Sequence, residues 1–207
     1  MRIYDISMSI FYDMPVYKGK ISKRPMIKVE STFTTGTVYE TKLEMNMHTG
    51  THMDTPLHIF KEGKNLDGLD LTRVVTTCKV LDFTLVEEKI TEAHLALKDI
   101  GSGDFVLLKT KNSFLEILQD DFIYLDKTGA DYLASKNISG IGIDALGIER
   151  SQPEHGTHKT LLEADIIILE GLRLKEVEEG EYLLVAAPIK VLGVEAAPVR
   201  AILVQQE

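Results

Sequence analysis

The sequence contains no tryptophan and a single cysteine, Cys78. One cysteine excludes an intramolecular disulfide, and it argues against the closed, cysteine-rich zinc sites that staple small domains. Cys78 lies in the apolar run VVTTCKVLDF, where the expected role is a small buried hydrophobe. Positive charge is also short: 23 Lys and Arg stand against 32 Asp and Glu, a formal net charge of -9. A surface of that sign repels nucleic acid and anionic lipid, so neither is an expected partner. No apolar run approaches the roughly 20 residues of a membrane-spanning helix. Asp5 interrupts MRIYDISMSIF, where a secretion signal needs an unbroken apolar core, so the cytoplasm is the expected location. Repeats, low-complexity tracts and Ser/Pro linkers are absent as well, and residues 1–207 are expected to form one domain.

What is present alternates between strand and helix patterns. Residues 26–33 and 37–48 read as two strands around the turn Thr34-Thr35-Gly36. Further strands are expected at 74–83, 104–110, 138–144, 164–169, 181–187 and 199–205. Helices are expected at 91–98, capped by Thr91, and at 127–136 despite Gly129. Such alternation predicts an α/β fold on a mixed sheet.

Three of the six histidines fall in one stretch, HTGTHMDTPLH, from His48 to His58. His48, Gly50, His52, Asp54, Pro56 and His58 all have even numbers, so an extended chain would put them on one face. A straight strand would nevertheless hold His48 and Asp54 about 20 Å apart. Metal bonds of roughly 2.0–2.2 Å need convergence. The backbone is therefore expected to curl, with Gly50 permitting it. Pro56 fits the first position of a short helix capped by Thr55, which would carry His58 and end at Gly63. Two imidazoles and a carboxylate suit a catalytic divalent ion, with positions left open for water and substrate. The competing expectation is a polar loop whose histidines cap backbone groups.

A second group lies at His155 and His158 and, beyond a further helix and strand, at Glu170. Glu170 follows the apolar run Ile166–Leu169, and the end of a buried strand is where α/β sites commonly form. His94 sits in a plain amphipathic helix and is expected to be structural.

The run from His48 to His58 resembles the cyclase family of metal-dependent hydrolases, which includes bacterial kynurenine formamidases and isatin hydrolases. It matches the family pattern H-x-G-T-H-x-D-x-P-x-H at every fixed position. The similarity continues in DIS (Asp5–Ser7), LDGLDLTRVV, IGIDAL near Asp144, and the HKTLL…EGL pairing of His158 with Glu170. The resemblance implies a mixed, barrel-like sheet surrounded by helices. It implies that His48, His52 and Asp54 bind one metal. Asp54 would bridge to a second ion held by His158 and Glu170, and His58 would be the catalytic acid/base. It further implies zinc, with one or two ions and manganese in some members, a small-molecule substrate, and a homodimer or homotetramer. His155, three residues before His158, is a rival ligand. In the family, aromatic side chains that include tryptophan hold aryl substrates. Here Tyr17 stands near the place where such a tryptophan is expected.

The expected activity is hydrolysis of an amide by metal-activated water, of the arylformamidase kind with a substrate such as N-formylkynurenine. A different cyclic amide or lactam is the alternative. Two rivals belong to other classes: a mononuclear iron oxygenase, which also uses two histidines and a carboxylate, and a binding module with a structural zinc. The segment Ser9–Lys20 is the candidate substrate wall, with Phe11, Tyr12 and Tyr17 as aromatic faces and Lys18 or Lys20 to meet a carboxylate. A surface loop or dimer contact is the competing expectation for it.

Overall fold

A computed structural model describes residues 1–115 and 121–205. In chain order the strands are β1 (Arg2–Asp5), β2 (Met26–Ser31), β3 (Glu40–Glu44), β4 (His52–Asp54), β5 (Val75–Asp82), β6 (Lys89–Ile90) and β7 (Phe105–Lys109). They continue with β8 (Tyr124–Leu125), β9 (Gly140–Ile143), β10 (Ile167–Glu170), β11 (Gly180–Val185), β12 (Ala196–Pro198) and β13 (Ile202–Gln205). The α-helices are α1 (Glu92–Leu95), α2 (Lys127–Ser135) and α3 (Gly156–Glu163).

Nine strands form one sheet in the order β1-β13-β11-β5-β7-β9-β10-β4-β12. The run β5-β7-β9-β10 is parallel and the other pairings are antiparallel. The result is the mixed α/β arrangement expected, curled into a half-barrel.

Alternation in the central strands gives each face of the curled sheet its own core. In β7, Val106 and Leu108 join Ile141, Ile143 and Ile168 in a core with Leu133, Leu161 and Leu162 of the helices. Phe105 and Leu107 face the opposite way, into a core with Val80, Leu169, Tyr182, Leu184 and Leu203. That second core is the inside of the curl, and it is crowded. A Cβ on Gly140 would lie 2.1 Å from the Phe105 ring, and one on Gly142 would lie 2.6 Å from both Leu107 and Leu172. The GIGI sequence of β9 thus places isoleucine under the helices and glycine where large neighbours already fill the space.

Several boundaries differ from expectation, each for a local reason. The second strand of the exposed hairpin stops at Glu44 instead of running to His48. There the Asn46 side chain accepts from the His48 N–H at 3.0 Å, and the Thr49 N–H bonds to the Asn46 carbonyl, closing a turn that ends the strand. Helix α1 is a single turn, Glu92–Leu95, rather than 91–98. Its cap is Thr91 as expected, and His94 completes a reciprocal capping box through Nδ1, the structural role anticipated for it. Asp126 caps α2 by accepting from the Gly129 N–H at 3.0 Å. Residues 164–166 precede β10 instead of forming it, because Asp165 turns through a left-handed φ of 56° after α3. Cys78 is buried in the inner core.

Candidate metal centre

The curl in HTGTHMDTPLH falls at Gly50, whose φ is +72°. Gly171, directly after Glu170, has the same φ. A Cβ on Gly171 would sit 2.4 Å from the Gly50 carbonyl oxygen, so the two backbones touch where side chains would not fit. Thr51 locks the contact: its hydroxyl donates to the Gly171 carbonyl at 2.6 Å and accepts from the Met8 N–H at 2.8 Å. Strand β4 then pairs antiparallel with β10, which sets His52 directly opposite Glu170 and Asp54 opposite Ile168.

Pro56 opens a 3-10 turn, Pro56–His58, which carries His58. Two details differ from expectation. The turn ends at His58 rather than at Gly63, and the Thr55 side chain does not cap it. Instead the Thr55 hydroxyl and N–H both donate to the Glu195 carbonyl, at 2.8 and 3.0 Å, because β12 runs alongside β4.

The result is a dense, buried cluster. His48 Nδ1 lies 2.9 Å from Asp54 Oδ1, and His52 Nε2 lies 3.5 Å from the same oxygen. His52 Nε2 is 3.3 Å from Glu170 Oε2. His158 Nε2 lies 3.2 Å from Glu170 Oε1 and 3.6 Å from Asp54 Oδ2. His58 stacks beside His48, ring centroids 4.1 Å apart, and 5.6 Å from the His158 ring. His155 is exposed, with Nδ1 3.4 Å from Glu149 and its ring 6.1 Å from that of His158. The structure therefore brings His48, His52, Asp54, His58, His158 and Glu170 together. Tyr17 lines the cleft above them; Phe11 and Tyr12 are exposed and are not part of its lining.

Burial and charge act against each other here. Burial alone would depress the His52 imidazolium, but the Glu170 carboxylate and the Asp54 charge hold its pKa up at about 9. His158 is likewise raised, against burial, by Asp54, Glu149 and Glu170. Burial would raise the Asp54 and Glu170 carboxyls, yet the surrounding imidazoles keep both low. His58 moves the other way: burial is the leading cause, and it lowers the pKa.

Three donor groups can each converge on one ion: Glu149, His155 and His158 form one beside the cleft, and two more share Asp54. Of those two, His48, Asp54 and His58 form one, and His52, Asp54 and Glu170 form the other, with ligand atoms within 4.8 Å of one another in each. His52 Nε2 and both Asp54 oxygens are buried and make no hydrogen bond. Their nearest polar neighbours are one another and the other ligands, 2.9–3.6 Å away without hydrogen-bond geometry, and a divalent cation among them would satisfy all three. The residues present thus fit a metal.

Sequence reasoning missed the residues that orient these ligands. Glu149, buried, accepts at 2.5 Å from His158 Nδ1 and at 3.0 Å from the Thr157 N–H. Glu195 lies 3.2 Å from His48 Nε2. The Gly50 carbonyl accepts from His52 Nδ1 at 2.9 Å. Each of the three histidines therefore has an acceptor on the nitrogen turned away from the cluster, which fixes ring and tautomer. Glu170 in turn accepts from the Ile148 N–H at 2.6 Å. Only Glu149, in IER just after the strand at Ile143, sits near a named motif; Glu195 is 147 residues from its partner.

A cleft of about 290 Å³ opens onto the cluster. A curled mixed sheet with a shared buried carboxylate, clustered His, Asp and Glu donors and a solvent cleft is the arrangement of a metal-binding protein whose site is reached by small molecules. The chain belongs to the family described as putative cyclase, whose model matches residues 4–150. His158 and Glu170 lie past that match and stand on the geometry above. Kynurenine formamidase from Salinibacter ruber is 31% identical over 98% of this chain and 97% of its own. A solved structure described as a potential metal-dependent hydrolase with cyclase activity is 47% identical, with a TM-score of 0.92, covering 100% of this chain and 98% of that one. Isatin hydrolase A from Labrenzia aggregata shares the fold at 21% identity and TM-score 0.86, covering 99% and 94%.

Proposed function

We propose that this protein is a metal-dependent hydrolase that cleaves an amide of the arylformamidase type, with His48, His52, Asp54, His158 and Glu170 holding one or two zinc ions. The observation that carries the proposal is Asp54, fully buried and common to two donor groups, with neither oxygen hydrogen-bonded. When bound, the ion supplies Lewis acidity that brings a water's pKa towards neutral and polarises the substrate carbonyl. His58 lies beside the cluster and lines the cleft. Burial lowers its pKa, which favours the neutral imidazole, the form that can take a proton from the attacking water. The same imidazolium then delivers that proton to the departing nitrogen, so the leaving group departs as a neutral amine. Glu149 holds His158 with Nε2 towards Asp54 and Glu170. Tyr17 provides the aromatic face of the substrate wall and packs over Gly147, where a Cβ would lie 3.3 Å from its ring.

The alternatives fare less well on the same geometry. A mononuclear iron oxygenase needs two histidines and one carboxylate, and the additional pair His158 and Glu170 has no part in it. A structural zinc would be closed by four ligands, whereas this cluster opens to a cleft. One domain over residues 1–207, a cytoplasmic location and a homodimer or homotetramer complete the proposal. The test is turnover of purified, zinc-loaded protein on N-formylkynurenine and isatin. Release of formate from the first is the expected result. Cleavage of isatin alone would move the substrate to a cyclic amide. Cleavage of neither, with oxygen consumed in the presence of Fe(II), would overturn the hydrolase in favour of the oxygenase.

A further inference from the structure

The wall facing the metal cluster has a charge pattern that the hydrolase assignment does not use. It is built from two successive 3-10 turns, Tyr17–Gly19 and Ile21–Lys23. Lys18 and Gly19 both take left-handed backbone, φ +57° and +58°, an uncommon conformation for lysine. The two turns set Lys18, Lys20 and Lys23 along the cleft. Nearby cations are paired: Arg24 with Asp13 and Lys28 with Glu30. Lys20 and Lys23 enter no ion pair among the described residues, although acidic groups outnumber basic ones in this chain. The carboxylates lining the same cleft, Glu149 and Glu170, are taken up by His158 and His52. Thr49, between His48 and Gly50, donates to the Lys23 carbonyl at 2.7 Å, which ties the lysine wall to the metal wall.

We infer that the substrate is an amide that also carries a carboxylate, and that Lys20 and Lys23 seat this carboxylate while the amide carbonyl faces the histidine cluster. The inference rests on the hydrolase reading above and narrows its substrate class. Carboxylates are themselves ligands for zinc. An anionic substrate with no other seat would bind the metal through that group and leave its amide out of reach. Two ammonium groups on the opposite wall remove that competition and fix orientation. They also draw an anion towards the mouth of a protein whose overall charge repels it. The size of the cleft, about 290 Å³, suits one ring with short substituents.

The experiment separates recognition from turnover. Calorimetry on zinc-loaded protein compares 2-(methylsulfonamido)benzoate with methanesulfonanilide, a pair that resists hydrolysis and differs only in the carboxylate. At least tenfold tighter binding of the first is expected. The Lys20→Gln/Lys23→Gln double variant should lose that preference while keeping its zinc and its affinity for the neutral compound. The preference should also weaken with added salt, since Lys20 is exposed. Equal binding of the two compounds, or a preference that survives the double variant, would overturn the inference. Cleavage of N-formylanthranilate and formanilide is measured alongside. If neither is cleaved but the lysine-dependent preference stands, the amide-hydrolase reading fails and the anion seat does not.

Discussion

On one side of the cleft, His52, Asp54, His158 and Glu170 are each more than nine-tenths buried, set on strand β4, helix α3 and strand β10. On the other, Lys18 and Lys20 ride on exposed turns and Tyr17 is half-buried. The first wall is over-determined. Cross-strand register, two touching glycines and acceptors behind three histidines all hold it in place. The second has a short tether to the body of the protein through Thr49 and a ring contact between Tyr17 and Phe122 at 6.3 Å. A wall that must hold ions at fixed distances is built into a sheet; a wall that selects among substrates can be built from turns and varied cheaply.

Substitutions on the two walls should therefore separate in kind. The largest effect is expected for Asp54→Asn, since Asp54 belongs to two of the donor groups. Metal analysis should find at least one ion lost, with cleavage reduced by three orders of magnitude or more; retention of full metal and activity would break the comparison at its centre. His58→Ala is expected to keep its metal and lose about 10²- to 10⁴-fold in turnover, the usual worth of a positioned acid/base. Should metal content fall in step with activity, His58 is a ligand beside His48 and Asp54 instead. Next comes Glu149→Gln, which leaves every proposed ligand in place but weakens the hold on His158. Competition with a chelator should show metal affinity lower by about 10- to 100-fold. Tyr17→Leu, on the opposite wall, should change KM by severalfold with metal content and kcat little altered.

The smallest effect concerns pH and the metal-stripped protein. The folded-state pKa of His52 is raised from 6.5 to about 9, and that of His158 is also raised. A raised histidine pKa gives stability that is fully present below about 6.5 and is lost as pH climbs through about 9. The Tm of chelator-treated protein should accordingly fall across that window. Metal-loaded protein should not follow, because the ion replaces the protons. Its metal affinity should instead rise with pH.

How much of this was legible beforehand follows the same division. HTGTHMDTPLH points to the candidate metal wall because ligand chemistry is packed at period two around a glycine, and the curl at Gly50 follows from length alone. Glu170 was visible at the end of an apolar run. Glu149 and Glu195 were not, because neither spacing nor periodicity connects them to His158 and His48; only the folding of α3 and β12 against the sheet does. Alternation alone extends the strand past Glu44, because it does not see the Asn46 side chain closing a turn. In Ser9–Lys20, composition offers Phe11, Tyr12 and Tyr17 alike as aromatic faces, and only the family resemblance sets Tyr17 apart. Backbone turns, which composition does not encode, put Tyr17 in the cleft and Phe11 and Tyr12 in solvent.

The most direct test is a titration of metal-stripped protein with zinc, reading bound metal and formate release from N-formylkynurenine in the same samples. Cleavage should appear in proportion to occupied sites, disappear on chelation, and be absent from Asp54→Asn at any zinc level that leaves the wild type saturated. Cleavage by the stripped protein, or a fully loaded protein that cleaves no amide, would contradict the assignment.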